Sequence, residues 1–257
     1  MIPMSNNRIY ETKYNKYGSK MEIIAYRKAI DIDVYFEEYD YVAKTSYQSF
    51  KRGTVKSPYC RTVRGIGYLG EGKYSMCNNK IAYIHWSTLL QRCYDEKFRN
   101  EHKNYISSTV CEEWHNFQNF AEWFEENYYE IDGQRMEVEN NILMKGNTEY
   151  CPEYSIISPQ RINNLFVKCE NTKDRGKYPI GVTWHKASNK YRGQCSYIDD
   201  CGNYKRISQQ FDTEIEAFEF YKQFKENYIK QVADEYKHLI PRELYKAMYE
   251  YEIDIND

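Results

Sequence analysis

The clearest pattern near the start of the chain is strict alternation. Ile32, Val34 and Phe36 alternate with Asp31, Asp33 and Tyr35, the period of two that a half-buried strand requires. With "KMEIIAYR" (20–27), "DIDVYFEEYDYVAK" (31–44) and "YQSFKRGTVKSP" (47–58), this predicts a small antiparallel sheet or barrel. The glycine-rich "RGIGYLGEGKY" (64–74) then reads as a loop or connector, and it contains no GxxxxGK[ST] phosphate cradle. Two amphipathic helices follow. Trp86, Leu89, Leu90, Cys93 and Tyr94 form one stripe, and Trp114, Phe117, Phe120, Ala121, Phe124 and Tyr128 form the next. Aromatic stripes at this spacing are core faces, and His115 reads as a boundary residue beside Trp114.

The second half has a different rhythm. "RINNLFVKCENTKDRGKYP" (161–179) reads as a polar linker. Three strand-like segments come after it: "YPIGVTWHK", "KYRGQCSYI" and "YKRISQQF", joined by "ASN" and "DDCGN" turns. Thr213 with Glu216 is a capping-box start for a helix whose apolar face is Ala217, Phe218, Tyr221, Phe224, Tyr228, Val232 and Tyr236. Pro241 opens a short final helix.

Length and composition narrow the class. A chain of 257 residues supports one large domain or two to three small ones and a sizeable core. Its 28 tyrosines reflect mainly nucleotide composition, with base stacking as the sharper alternative. None of the eight cysteines forms a CxxC pair, so no zinc ribbon is expected. The N-terminal residues have no signal-peptide pattern and no run reaches membrane-spanning length, which predicts reduced thiols, a cytoplasmic location and no membrane partner. The net charge of −2 hides an uneven distribution. Residues 1–80 carry +6 and 166–212 carry +4, whereas 81–165 carry −7 and 213–257 carry −5. The two basic blocks are the ones that attract phosphate.

Gly181-Val182-x-Trp184-His185-Lys186, Lys190-Tyr191-Arg192-Gly193-Gln194 and Phe211-Asp212-Thr213 resemble the apetala/ethylene-response-factor DNA-binding domain in its bacterial and phage form. That resemblance implies a three-stranded sheet in the major groove with a helix on its back, over residues 176–257. Alternation turns Tyr191, Gly193, Cys195 and Tyr197 toward the helix and leaves Arg192, Gln194 and Ser196 for DNA. By resemblance Thr183, His185 and Lys205 join them, and Lys186, Lys190, Arg192, Lys205 and Arg206 contact the backbone. Ile180, Thr183 and His185 stand where plant members carry arginine, which removes the strongest guanine contacts.

Residues 81–168 resemble the central region of phage HNH-type endonucleases through "LLQRCY", "VCEEWHNFQNFAEWF" and "NILMKGNTEYCPEYSIISPQRINNL". Residues 20–80 resemble the leader of those proteins, notably through "FKRGTVKSPY" and "GIGYLGEGKY". Residues 1–80 are expected to be a small β-barrel-like module with a Gly-rich connector. An HNH site needs a histidine to activate water and acid, Asn or His ligands for one divalent ion. Here Val138-Glu139-Asn140-Asn141-Ile142-Leu143 replaces the aspartate-bearing pattern, and no histidine lies between His115 and His185. A base would have to come from His85, His102 or His115. Glu139, Asn140, Asn141 and Asn147 therefore read as vestigial positions, with no catalytic residue, metal or cofactor expected.

The expectation is an α+β protein. It has a small N-terminal antiparallel β module, a degenerate HNH-like α/β middle module and a C-terminal three-stranded sheet plus helix. Its expected role is non-catalytic binding of double-stranded DNA, in a phage or mobile element and inside the host cytoplasm. A magnesium- or manganese-dependent nicking endonuclease and an inhibitor that binds a host defence protein are the alternatives.

Overall fold

The computed structural model describes residues 8–166, 178–199 and 201–257, and they form an α+β protein. The chain divides into two compact units. One comprises residues up to 127 with 149–152, and the other comprises 128–148 with 153–257.

In the first unit, β1 (Thr12–Tyr14), β2 (Lys20–Lys28), β3 (Asp31–Phe36) and β4 (Tyr41–Thr45) form an antiparallel meander in that order. The alternation works as its period dictates: Ile32, Val34 and Phe36 are fully buried. They pack with Met21, Ile23, Ala43 and Phe50, the last supplied by α1 (Tyr47–Arg52). Buried Asn15 ties the β1–β2 turn down. Its Oδ1 accepts the Tyr17 and Ser19 amides, and its Nδ2 donates to the Val55 carbonyl at 3.1 Å.

The first unit's second core is aromatic. Trp86 and Leu90 of α2 (Lys80–Tyr94) pack with Trp114, Phe117 and Phe120, and Trp86 Nε1 donates to the Trp114 carbonyl at 2.7 Å. The helical stripe over 114–128 is interrupted. Residues 112–115 form a 3₁₀ turn, Asn116 is extended, and α4 runs only from Phe117 to Asn127. The cause is long-range pairing: the Tyr68 amide donates to the His115 carbonyl, and the Phe117 amide donates to the Tyr68 carbonyl. The glycine-rich segment is thus packed structure and no mere connector. A Cβ on Gly67 would collide with Trp86 and Leu90. A short helix, α3 (Glu96–Glu101), and the parallel pair β5 (Thr109–Val110) and β7 (Glu149–Tyr150) complete this unit.

In the second unit, β6 (Met136–Glu139) pairs antiparallel with β8 (Ile156–Pro159), and β8 runs straight into α5 (Gln160–Phe166). Part of the expected polar linker is therefore helical. Ile162, Leu165 and Phe166 sit at helical spacing and are buried, each contributing roughly 1.5–3 kcal/mol. The rest of that linker, 167–177, lies outside the described residues. Beyond it, β9 (Val182–His185), β10 (Lys190–Ile198) and β11 (Tyr204–Phe211) form an antiparallel sheet in the order β11-β10-β9. It is backed by the 23-residue α6 (Glu214–Tyr236). Both halves of the capping box are made at Thr213 and Glu216. Pro241 is the N-cap of α7 (Arg242–Tyr249). The far half of α6, α7 and α5 share one core through Ile162, Ile229, Val232, Ala233 and Leu244.

Candidate nucleic-acid interface

Side chains alternate between the faces of a sheet, so pairing register decides what each face carries. Val182, Cys195 and partly buried Tyr191, Ile207 and Phe211 pack against Ala217, Phe218 and Tyr221 of α6. Gly193 shares that face because the α6 backbone passes directly over it, and a Cβ there would strike the Ala217 carbonyl. The apolar half of the alternation is thereby satisfied.

The other face is polar and unpacked by α6. Arg192 lies opposite Thr183 and Gln210, Gln194 opposite Ser208, Ser196 opposite Arg206, and Ile198 opposite Tyr204. Cross-strand hydrogen bonds follow this register. Arg192 Nε donates to Thr183 Oγ1 at 3.4 Å, and Arg206 Nε donates to Ser196 Oγ at 3.4 Å. At one end His185 Nδ1 shares a hydrogen bond with Ser188 Oγ at 2.7 Å, and Gln210 Nε2 approaches the same nitrogen at 3.5 Å. Lys190 lies opposite His185 and pairs with Asp212 at 3.0 Å, while Lys186 is exposed in the β9–β10 turn.

Eight of the nine expected nucleic-acid contacts therefore gather on this face or its adjoining turn: Thr183, His185, Lys186, Lys190, Arg192, Gln194, Ser196 and Arg206. Lys205 does not. It lies opposite Tyr197, on the helix-side parity, and its ammonium sits 3.9 Å from Asp199 at the hairpin. Asp199 is committed to the turn, accepting the Cys201 and Asn203 amides. The Asn203 amide is the main reason its carboxyl is held below the usual range. Three residues with a clear place on the polar face were missed: Ser208, Gln210 and Tyr204, the last 82% exposed. Counting in twos from Arg206 would have found them.

The four expected vestigial positions lie in β6 and the loop that follows it. Glu139 is buried and accepts Asn163 Nδ2 at 2.7 Å, and Asn147 Nδ2 donates to the Asn140 carbonyl at 2.6 Å, closing the 140–147 loop. Asn140 is buried and Asn141 is exposed. His115 belongs to the other unit. Burial lowers its pKa, and its Nε2 lies 3.1 Å from the Val110 carbonyl. His85 packs its ring on Phe124 and His102 on Phe98. Among the described residues no three His, Cys, Asp or Glu side chains gather as a metal site.

Residues 167–240 are similar to the family described as the tRNA methyl transferase HUP domain, and 167–177 and 200 of that stretch lie outside the described residues. No curated protein and no solved structure matches the chain. Neither an HNH-type nor an apetala/ethylene-response-factor-type family matches. This overturns both resemblances and the role built on them: the phage DNA-binding protein, its endonuclease and defence-inhibitor alternatives, and its double-stranded DNA and host-defence partners. The residues explain why the resemblance misled. A three-stranded sheet backed by a capped helix needs Gly193 beneath the helix and polar residues at alternate positions, whatever it binds. The arginine rows that would read guanine in a major groove are absent, and an exposed tyrosine stands at the hairpin end.

Among the described residues, no helix is long and apolar enough to cross a membrane. The start of α6 offers no phosphate cradle either. Thr213 Oγ1 accepts the Glu216 amide, and the Glu216 carboxylate receives the Thr213 amide at 3.1 Å, which puts negative charge where a phosphate would sit.

Proposed function

We propose that this chain binds tRNA through the open face of the β9–β10–β11 sheet and presents it for modification in the cytoplasm. The observation that carries the reading is the register that puts Arg192, Arg206 and Tyr204 on one exposed face. Two guanidinium groups suit phosphates, and an exposed ring suits an unstacked base, which is the combination single-stranded segments of folded RNA require. The similarity of residues 167–240 to a tRNA methyl transferase domain supports RNA as the polyanion. Thr183, Gln194, Ser196 and Gln210 supply hydroxyl and amide groups between the charges, suited to 2′-hydroxyls and base edges. Lys186 and Lys190 extend the positive end.

Fluorescence anisotropy with labelled unmodified tRNA at low salt tests this. The expected result is saturable binding that weakens at least about tenfold in the Arg192→Ala/Arg206→Ala double variant. No binding at low ionic strength, or a double variant that binds as the parent does, would sink the proposal.

A further inference from the structure

Beside the hairpin end of the sheet, the second unit contains a cleft of about 440 Å³. It is bounded by the β8–α5 junction, the 133–135 turn, the ends of β10 and β11, and α6. Arg135, Arg161 and Lys225 line it, and among the described residues no carboxylate does. Arg135 pairs with Glu137 at 2.8 Å and Arg161 with Glu235 at 2.6 Å. Lys225 has no carboxylate partner among the described residues. Burial, opposed in part by Cys195, pushes its ammonium below its usual pKa, and an anion in the cleft would favour the charged form. Gln160 and Asn164 also line the cleft, as does Tyr204 at the hairpin end of the sheet.

We propose that this cleft is a nucleotide subsite, with the phosphate against Lys225 and the two arginines and the base against Tyr204, its edge read by Gln160 and Asn164. The volume falls within the range of small-ligand sites. Three cations facing one cleft against two paired carboxylates, with Lys225 left over, favour an anion. Amides with an aromatic ring select a heterocycle with donor and acceptor edges. A nucleotide carries both. It can arrive as an unstacked residue of a bound RNA, in which case the subsite deepens the tRNA reading and rests on it, or as a free mononucleotide.

The full chain is titrated with AMP, GMP, CMP and UMP by NMR and calorimetry, alongside Lys225→Gln, Asn164→Ala and the remote surface variant Lys246→Gln. Saturable binding of at least one nucleotide is expected, weakened about tenfold or more by Lys225→Gln and by Asn164→Ala and unchanged by Lys246→Gln. Asn164 is exposed on α5, so its variant keeps the fold intact should Lys225→Gln not fold. Labelled tRNA is titrated in parallel. Weakening by the cleft variants assigns the site to an RNA nucleotide, and an unchanged tRNA affinity assigns it to a free one. If tRNA does not bind but mononucleotides do, the tRNA reading fails and the subsite stands. A folded parent that binds no mononucleotide, or binding indifferent to both cleft variants, overturns the subsite.

Discussion

Tyr204 opens β11 with 82% of its surface in solvent, so the fold gains little from its ring. Removing it should therefore separate binding from stability. Base–aromatic stacking is worth about 1–3 kcal/mol per base, so Tyr204→Ala should weaken tRNA binding by about tenfold or more. Tyr204→Phe keeps the ring and should bind nearly as the parent does. Anisotropy titrations read the affinities, and circular dichroism melts should agree within about 0.5 kcal/mol for all three proteins. Equal losses in both variants would assign the effect to the hydroxyl and remove stacking. Gly193 is the converse residue, silent in solvent but decisive for packing. The α6 carbonyl of Ala217 occupies the space a Cβ would need. Gly193→Ala should destabilise the second unit by about 1–3 kcal/mol, seen as a lowered denaturation midpoint, because the helix must lift off the sheet.

At the scale of elements, neighbours in a strand face opposite ways, and β11 turns this into a test. Lys205 and Arg206 carry the same charge one residue apart, but only Arg206 lies opposite Ser196 on the open face. Arg206→Ala should cost several-fold in tRNA affinity, and Lys205→Ala should cost less than half of that in free energy. If the two variants are equal in anisotropy titrations, the open face is not the contact surface. Strands β2–β4 and β9–β11, both amphipathic stripes and the Thr213 cap were legible because a period of two, a period of about 3.6 and a capping box are local signals. Residues 47–58, expected as a strand, instead open with the Ser46-capped helix α1. The break at Asn116 was not legible, since it comes from Tyr68, 48 residues earlier in the sequence, pairing with both flanking peptides. Nor was α5, whose apolar residues Ile162, Leu165 and Phe166 are diluted by Arg161, Asn163 and Asn164 in a helix of two turns. The polar face of the sheet was readable residue by residue, except where Lys205 was grouped with Arg206 by charge against the strand's own parity. What the face binds was not readable, because sheet packing alone accounts for most of the motif that suggested duplex DNA.

For the whole molecule, a net charge of −2 means that attraction to a polyanion must be local. On and beside the open face, Lys186, Arg192 and Arg206 are free of carboxylate partners among the described residues, whereas Lys190 already pairs with Asp212. Three phosphate contacts at about 0.7–0.9 released counterions each predict a slope near −2.5 for log affinity against log salt, or about a thirtyfold loss between 50 and 200 mM. The Arg192→Ala/Arg206→Ala variant should flatten the slope to near −1, since only about one contact would remain. Duplex DNA offers the same phosphates but no unstacked base for Tyr204. Excess unlabelled duplex should therefore displace labelled tRNA poorly, and its own binding should be insensitive to Tyr204→Ala. A salt slope steeper than about −5 would require many more cations than this face holds and would move the contact surface elsewhere. Duplex DNA competing as well as unlabelled tRNA would show that the face reads phosphate alone, and the role assigned to Tyr204 would fall with it.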